Sequence, residues 1–217
     1  MLNFVFFVTT LLTVFLFYYG LLKDKRVLIL SVIWLGVYGW LAYIGYFEDI
    51  DASPPRFLVV LSGSVLLTVI LYRLARTIKV RTDFLMAVHI VRIPVELLLY
   101  QLYLQKEVPL LMTFKGYNFD ILMGISALIL WVLIKFSNKW KVPNSILVGW
   151  NVIGIFFLLS IVLMAILSSP TPIQQFGFEQ PNVAVLRFPF IYLPAIVVPM
   201  VFLSHILFIK ALIIKDG

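Results

Sequence analysis

Seven apolar runs alternate with short loops along the whole chain, and this spacing limits the possible fold more than any motif does. A membrane-crossing helix needs about 20 mainly apolar residues to cover ~30 Å of hydrocarbon. The runs cover residues 3–22, 27–46, 57–75, 84–104, 117–136, 144–167 and 187–209. The stretches between them leave no room for a soluble domain. Only 12% of the residues are charged and 63% are hydrophobic, whereas soluble domains carry about a quarter charged residues. A globule of this length could not hide so much apolar surface. The composition excludes a soluble enzyme, a disordered chain and a disulfide-stapled module. The expectation is an all-α polytopic membrane protein: one seven-helix transmembrane domain over residues 1–217.

Charge tests the span count. Lys and Arg should accumulate in the cytoplasmic loops. Lys23, Lys25 and Arg26 lie in the first loop, Arg73, Arg76, Lys79 and Arg81 in the third, Lys135, Lys139 and Lys141 in the fifth, and Lys210 and Lys215 at the C-terminal end. These are twelve of the 17 basic residues. The opposite side holds Arg56, Lys106, Lys115 and Arg187 with six acids, Glu48, Asp49, Asp51, Glu107, Asp120 and Glu179. The alternation predicts an outside N-terminus and a cytoplasmic C-terminus. The first run has no basic region before it and no small-residue cleavage site, so it reads as a mature helix and not as a signal peptide. Because the net charge of +7 sits in short loops, it sets orientation and does not point to nucleic acid. The absence of cysteine removes thiolate metal sites, thiol catalysis and disulfides. A small, short-looped chain of this kind fits a bacterial inner membrane.

Ionisable residues inside a span cost roughly 2.5–3.5 kcal/mol each on insertion scales, which makes them functional candidates. The fourth run holds most of them. His89, Arg92, Glu96, Tyr100 and Tyr103 recur at spacings of three and four, which places them within an arc of about 80°. Pro94 lies on the far side and should kink the helix. In the seventh run, Arg187 opens the helix and His205 follows five turns later on the same face, with Pro189, Pro194 and Pro199 between them. Asn118 and Asp120 open the fifth run, where both residue types cap helices; they also stand at a depth to join Glu96, Tyr100 and Arg187 in an outer polar layer. Asn151 in the sixth run reaches the depth of His89, Arg92 and His205, which defines an inner layer. A lone buried Asn also serves as interhelical glue, and Arg92 with Glu96, one turn apart, also makes a simple structural pair. Ser64, Thr68 and Tyr72 form a weaker stripe in the third run and read as helix contacts. Trp140 falls in the fifth loop. The longest loop, 168–186, has three prolines with Phe176 and Phe178; it reads either as a packed lid over the outer mouth or as a loose tether.

Three functional classes follow. The first is a small carrier or ligand-binding protein for a small or amphiphilic molecule, an anionic one included, since bent helices beside a charged stripe are what substrate and proton pathways look like. It has a polar cavity between helices four to seven and a proton path over Glu96 or His89. The second is an intramembrane enzyme acting on a lipid or isoprenoid-like substrate, with Glu96 and His89 as acid–base groups. The third is a structural or assembly subunit whose polar residues only fasten helices. The expected partners are membrane lipid and the small molecule; oligomeric state is left open. No metal-ligand spacing and no phosphate loop occurs. No cofactor is expected, with a haem held axially by His89 and His205 as the one exception the pattern leaves open. The seventh run has no mid-membrane lysine, which argues against a retinal Schiff base.

Overall fold

The computed structural model describes residues 1–50, 52–136 and 142–216, apart from the side chains of residues 134 and 214–216. Asp51, Lys139, Trp140 and Lys141, and the side chain of Lys215, therefore lie outside the described residues. The described chain is all-helical and has no strand. Seven helices follow one another: α1 (Leu2–Gly20), α2 (Lys25–Tyr43), α3 (Phe57–Ala75), α4 (Thr82–Leu104), α5 (Asp120–Phe136), α6 (Asn144–Leu167) and α7 (Leu193–Ile213). Six of them are long and apolar enough to cross a membrane. The exception is α5, at 17 residues.

Several expected boundaries move, and each shift has a local cause. The run at 117–136 becomes helical only at Asp120, because a turn ends at Tyr117 and Asn118 follows it, its side chain accepting from the Asp120 backbone N–H at 3.0 Å. The run at 187–209 enters α7 only at Leu193, so Arg187 does not open a helix. Residues 187–191 form turns around Pro189, which has no N–H to give. The five-turn register between Arg187 and His205 therefore fails.

Two helices are interrupted where prolines demand it. In α4 the residues His89–Val91 tighten into a 3-10 turn. Pro94 lacks an N–H for the Ile90 carbonyl, and its ring crowds that carbonyl. In α7 the residues Leu193–Val197 form a π-turn. The π pattern directs the Pro194 carbonyl to the N–H of residue 199, which is another proline. Ser64 of α3 supplies the missing donor, its hydroxyl lying 2.6 Å from the Pro194 oxygen.

These two helices are also the centre of the bundle. About two-thirds of α4 (67%) and of α7 (61%) is buried, against 22–33% for α1, α2, α3 and α6. The outer helices meet α7 closely: Tyr192 donates to the Leu35 carbonyl at 3.0 Å, and its ring tip occupies the space that a side chain at Gly39 would need. Their outward faces carry Ile29, Val32, Val65, Phe156 and Leu163, each more than half exposed. A soluble monomer rarely shows apolar surface on this scale; long apolar helices with such a skin support a membrane-embedded protein.

The loops gather at two ends. At one end Arg81 donates its backbone N–H to Gly20, the Lys210 ammonium donates to the Arg76 carbonyl, and Tyr19 packs on Phe84. At the other, Arg56 pairs with Asp49 at 2.7 Å, and Arg187 pairs with Glu48 at 2.9 Å and Glu107 at 3.3 Å. The loop 168–186 belongs to this second end and is pinned. Gln180 donates to the carbonyls of Tyr103 and Val108, while Val183 and Ala184 donate their N–H groups to Glu107. Phe176 and Phe178 stay exposed on its surface.

Candidate functional site

The buried polar groups of α4 to α7 form one connected network around Arg92. Its guanidinium is 3% exposed. Nη1 reaches Oδ1 of Asp120 at 3.2 Å, and Nη2 reaches Nε2 of His205 at 3.1 Å and the Gly154 carbonyl at 3.4 Å. Four helices thus meet at one side chain. The approach depends on Gly154, since a Cβ there would fall 2.3 Å from Cε1 of His205.

Donor and acceptor logic fixes the state of His205. Arginine only donates, so Nε2 must accept and carry no proton. Nδ1 then holds the proton and donates to Oδ1 of Asn151 at 2.8 Å. Asn151 is oriented for this by its own amide, which donates to the Leu147 carbonyl at 2.8 Å. The neutral tautomer satisfies both ring nitrogens of His205, whereas a protonated His205 would set a donor against a donor.

On the other side of Arg92, Asp120 stands at the first residue of α5, where the helix end favours a negative charge. Asn118 links it to Glu96. The Asn118 amide donates to Oε1 of Glu96 and to the Met112 carbonyl, while its oxygen holds the Asp120 N–H. Asn118 therefore caps the helix and joins the polar network at once, so the two readings of the fifth run are not exclusive.

His89 is fully buried and lies flat on His205, with ring centroids 3.8 Å apart and planes 25° apart. Trp150 presents itself edge-on to His89 and donates its indole N–H to Ser126 at 2.9 Å. Neither nitrogen of His89 has a hydrogen-bond partner among the described residues, and the same is true of Arg92 Nε and Glu96 Oε2. The stacked rings do not suit axial haem ligation, which needs two imidazoles pointing their nitrogens at an iron from opposite sides. No group of three or more His, Cys, Asp or Glu that would hold a metal occurs among the described residues.

Two expected members stand apart. Tyr100 is half-buried, and its hydroxyl accepts from the exposed Lys115 at 2.6 Å. Arg187 is exposed at the rim and is paired with Glu48 and Glu107. The two supposed layers are otherwise one, because Arg92 spans from Asp120 to His205. Gly154, Trp150, Ser126 and the Met112 carbonyl were not among the expected residues. A readable trace existed for Gly154: Asn151 and Gly154, three apart, share a helix face, and small residues let helices approach.

Beside this network lies a cavity of about 70 Å³. Arg92, Glu96 and Asp120 form its polar wall; Leu158 and Ile161 of α6 and Val197 and Val201 of α7 form much of the apolar one. Pro194 of the π-turn and Val185 of the pinned loop also line it. A family model, described as a domain of unknown function (DUF8737), matches residues 54–213. The chain belongs to the DUF8737 family. The DUF8737 match takes in α3 to α7 with every residue of the network and the cavity, and leaves α1 and α2 outside it. No curated protein and no solved structure matches the chain.

Proposed function

We propose that this DUF8737 chain is a seven-span membrane protein that binds a small amphiphilic molecule in the cavity between α4, α5, α6 and α7. The headgroup meets Arg92 and Glu96, and the apolar body lies against Leu158, Ile161, Val197 and Val201. One observation carries the reading: an apolar cavity is walled by two residues, Arg92 and Glu96, that each keep a buried polar atom without a partner among the described residues. A buried polar atom left unsatisfied costs about 1–3 kcal/mol, more when charged. A ligand head offering both an acceptor and a donor, such as a carboxylic acid, amide or alcohol, removes that cost. The helical interruptions at His89–Val91 and Leu193–Val197 border the same space. Broken helices beside a mid-membrane site are a feature of carriers, and they favour a carrier over a static binder.

In this reading the basic end faces the cytoplasm and the N-terminus lies outside, following the excess of Lys and Arg at that end. Short loops and the lack of cysteine favour a bacterial plasma membrane. Because the chain has no native cysteine, single cysteines at Lys25 and at Gln180 report sidedness directly. An impermeant maleimide added to intact cells should label the second and spare the first; the reverse pattern overturns the orientation.

The ligand reading is tested on protein purified in mild detergent. Native mass spectrometry of the wild type should detect a co-purified small amphiphile. Thermal shift with medium-chain fatty acids, amides and alcohols should then rank the headgroups. Val162→Trp, placed on the cavity wall, should abolish both signals, and Glu96→Gln should weaken them while the protein stays folded. A wild type that carries and binds none of these molecules, with both variants unfolding at its temperature, rejects the proposal. Loss of folded protein in Glu96→Gln together with no ligand in the wild type favours a purely structural network.

A further inference from the structure

A second candidate site lies at the basic end, away from the Arg92 network. There α3 and α7 run side by side in the same direction, joined by Ser64 to Pro194 at one level and by Lys210 to Arg76 at another. Two adjoining hollows follow this seam. The first, about 350 Å³, is lined by Thr68, Val69 and Tyr72 of α3 and by Phe202, Leu203 and Ile206 of α7, with Arg73 and Arg76 at its end. The second, about 450 Å³, begins at Arg76 and continues past Lys79 of the α3–α4 turn to Lys210 of α7. Arg76 lines both. An apolar trough therefore opens into a basic bowl.

Arg76, Lys79 and Lys210 line the bowl and Arg73 stands at the adjoining end of the trough, and no carboxylate among the described residues pairs with any of them. The other arginines of the chain with described side chains, Arg26, Arg56, Arg81, Arg92 and Arg187, all form ion pairs. Lys210 is oriented by the Arg76 carbonyl, which holds its ammonium at the rim of the bowl. The trough wall is exposed as well: Val69 is 42% and Tyr72 40% accessible. From Thr68 to Arg76 the helix rises ~12 Å, a length suited to the upper part of an acyl chain whose head lies at the interface.

We propose that this seam binds an anionic phospholipid, with its phosphate among Arg73, Arg76 and Lys79 and one acyl chain along Val69, Phe202 and Ile206. Basic hollows between spans at the cytoplasmic side suit such headgroups, and interfacial Lys and Arg attract them. The proposal rests on membrane insertion with the basic end at an interface, and not on the cavity at Arg92. The two fail separately, because the variants here leave that cavity untouched.

The test uses the full chain in detergent, with phosphatidylglycerol, phosphatidylcholine and inorganic phosphate as probes, read by native mass spectrometry and thermal unfolding. Phosphatidylglycerol should be retained and should raise the unfolding temperature, while phosphatidylcholine and inorganic phosphate should do neither. The double variant Arg73→Gln/Lys79→Gln should bind phosphatidylglycerol on the order of tenfold or more weakly. Val69→Trp, which fills the trough and keeps every charge, should also weaken it. Equal retention of the two lipids, or a double variant that binds as the wild type does, overturns the proposal. So does inorganic phosphate binding as well as the lipid with Val69→Trp harmless, which marks a free-anion site instead.

Discussion

Arg92 and Arg187 each meet carboxylates from other parts of the chain, and the two clusters have little else in common. The Arg92 side chain is 3% exposed and its partner Asp120 8%. At Arg187 the figures are 45%, with 44% for Glu48 and 28% for Glu107. Water and salt screen the second cluster, so its pairs are worth little. In the first, every charge has left water and depends on its neighbours, so that removing one partner leaves another stranded. Equal residue types thus hold α4, α5, α6 and α7 together in one place and only decorate a loop rim in another.

The sharpest way to break this contrast is to strand Arg92. Asp120→Ala should destabilise the protein by about 3–5 kcal/mol, the usual cost of leaving a buried charge without its partner. Thermal or denaturant unfolding in detergent reads it. The double variant Arg92→Met/Asp120→Leu should recover most of that loss, since a packed apolar pair avoids the desolvation cost altogether. If the single variant is as mild as a rim variant, Arg92 is hydrated and the contrast collapses. The next largest effect should come from Gly154→Ala. Alanine favours a helix interior over glycine, but here its Cβ meets Nε2 of His205 at 2.5 Å and Met123 Cε at 2.7 Å. Overpacking of this kind costs about 1–3 kcal/mol, and the unfolding temperature should fall, not rise.

How far the sequence reveals these clusters depends on which physical property each residue uses. The α4 stripe is readable because helical periodicity alone puts His89, Arg92 and Glu96 on one face. The limits of α3 (Phe57–Ala75) and α6 (Asn144–Leu167) are readable because Pro54-Pro55 and Pro143 precede them and Arg76 or Ser168 to Pro170 follow. Arg187 misleads for the opposite reason. Hydropathy counts apolar atoms and not backbone hydrogen bonds, so a proline-broken turn and a helix look alike over 187–192. The pairing of Trp150 with Ser126, and the union of the two layers through Arg92, depend on how α5, α6 and α7 rotate against α4. No local pattern records that rotation. The cavity is likewise a property of packing between helices, visible only once Pro194 and Val185 are in place.

Exposed charges at the opposite end of the bundle give a smaller, separate measure. Asp24 accepts from the Arg26 backbone N–H at 2.8 Å as the N-cap of α2. Asp24→Ala should cost about 1 kcal/mol. The Arg26 guanidinium, hydrogen-bonded to the Asp24 side chain, holds that carboxyl below its ordinary value. The charged cap is therefore fully present above the ordinary carboxylate range and is lost as the pH falls through the lowered value. An Asp24→Ala penalty that is the same in strong acid as at neutral pH rejects a charged cap.

The mildest change is expected at the rim. Glu48→Gln removes one carboxylate from Arg187 but leaves Glu107 in place and all three side chains in contact with water. A pair so exposed contributes about 0.2–1 kcal/mol, and the remaining partner takes up part of what is lost. The effect on unfolding should therefore sit near the limit of detection and shrink further in high salt, whereas the Asp120→Ala penalty should persist there. Salt dependence is the useful readout, because it separates a screened pair from a buried one whatever their absolute sizes. Should Glu48→Gln prove as costly as Asp120→Ala, and as insensitive to salt, then Arg187 is not at a wet rim, and the loop 168–186 shields that end of the bundle more completely than its exposed phenylalanines indicate.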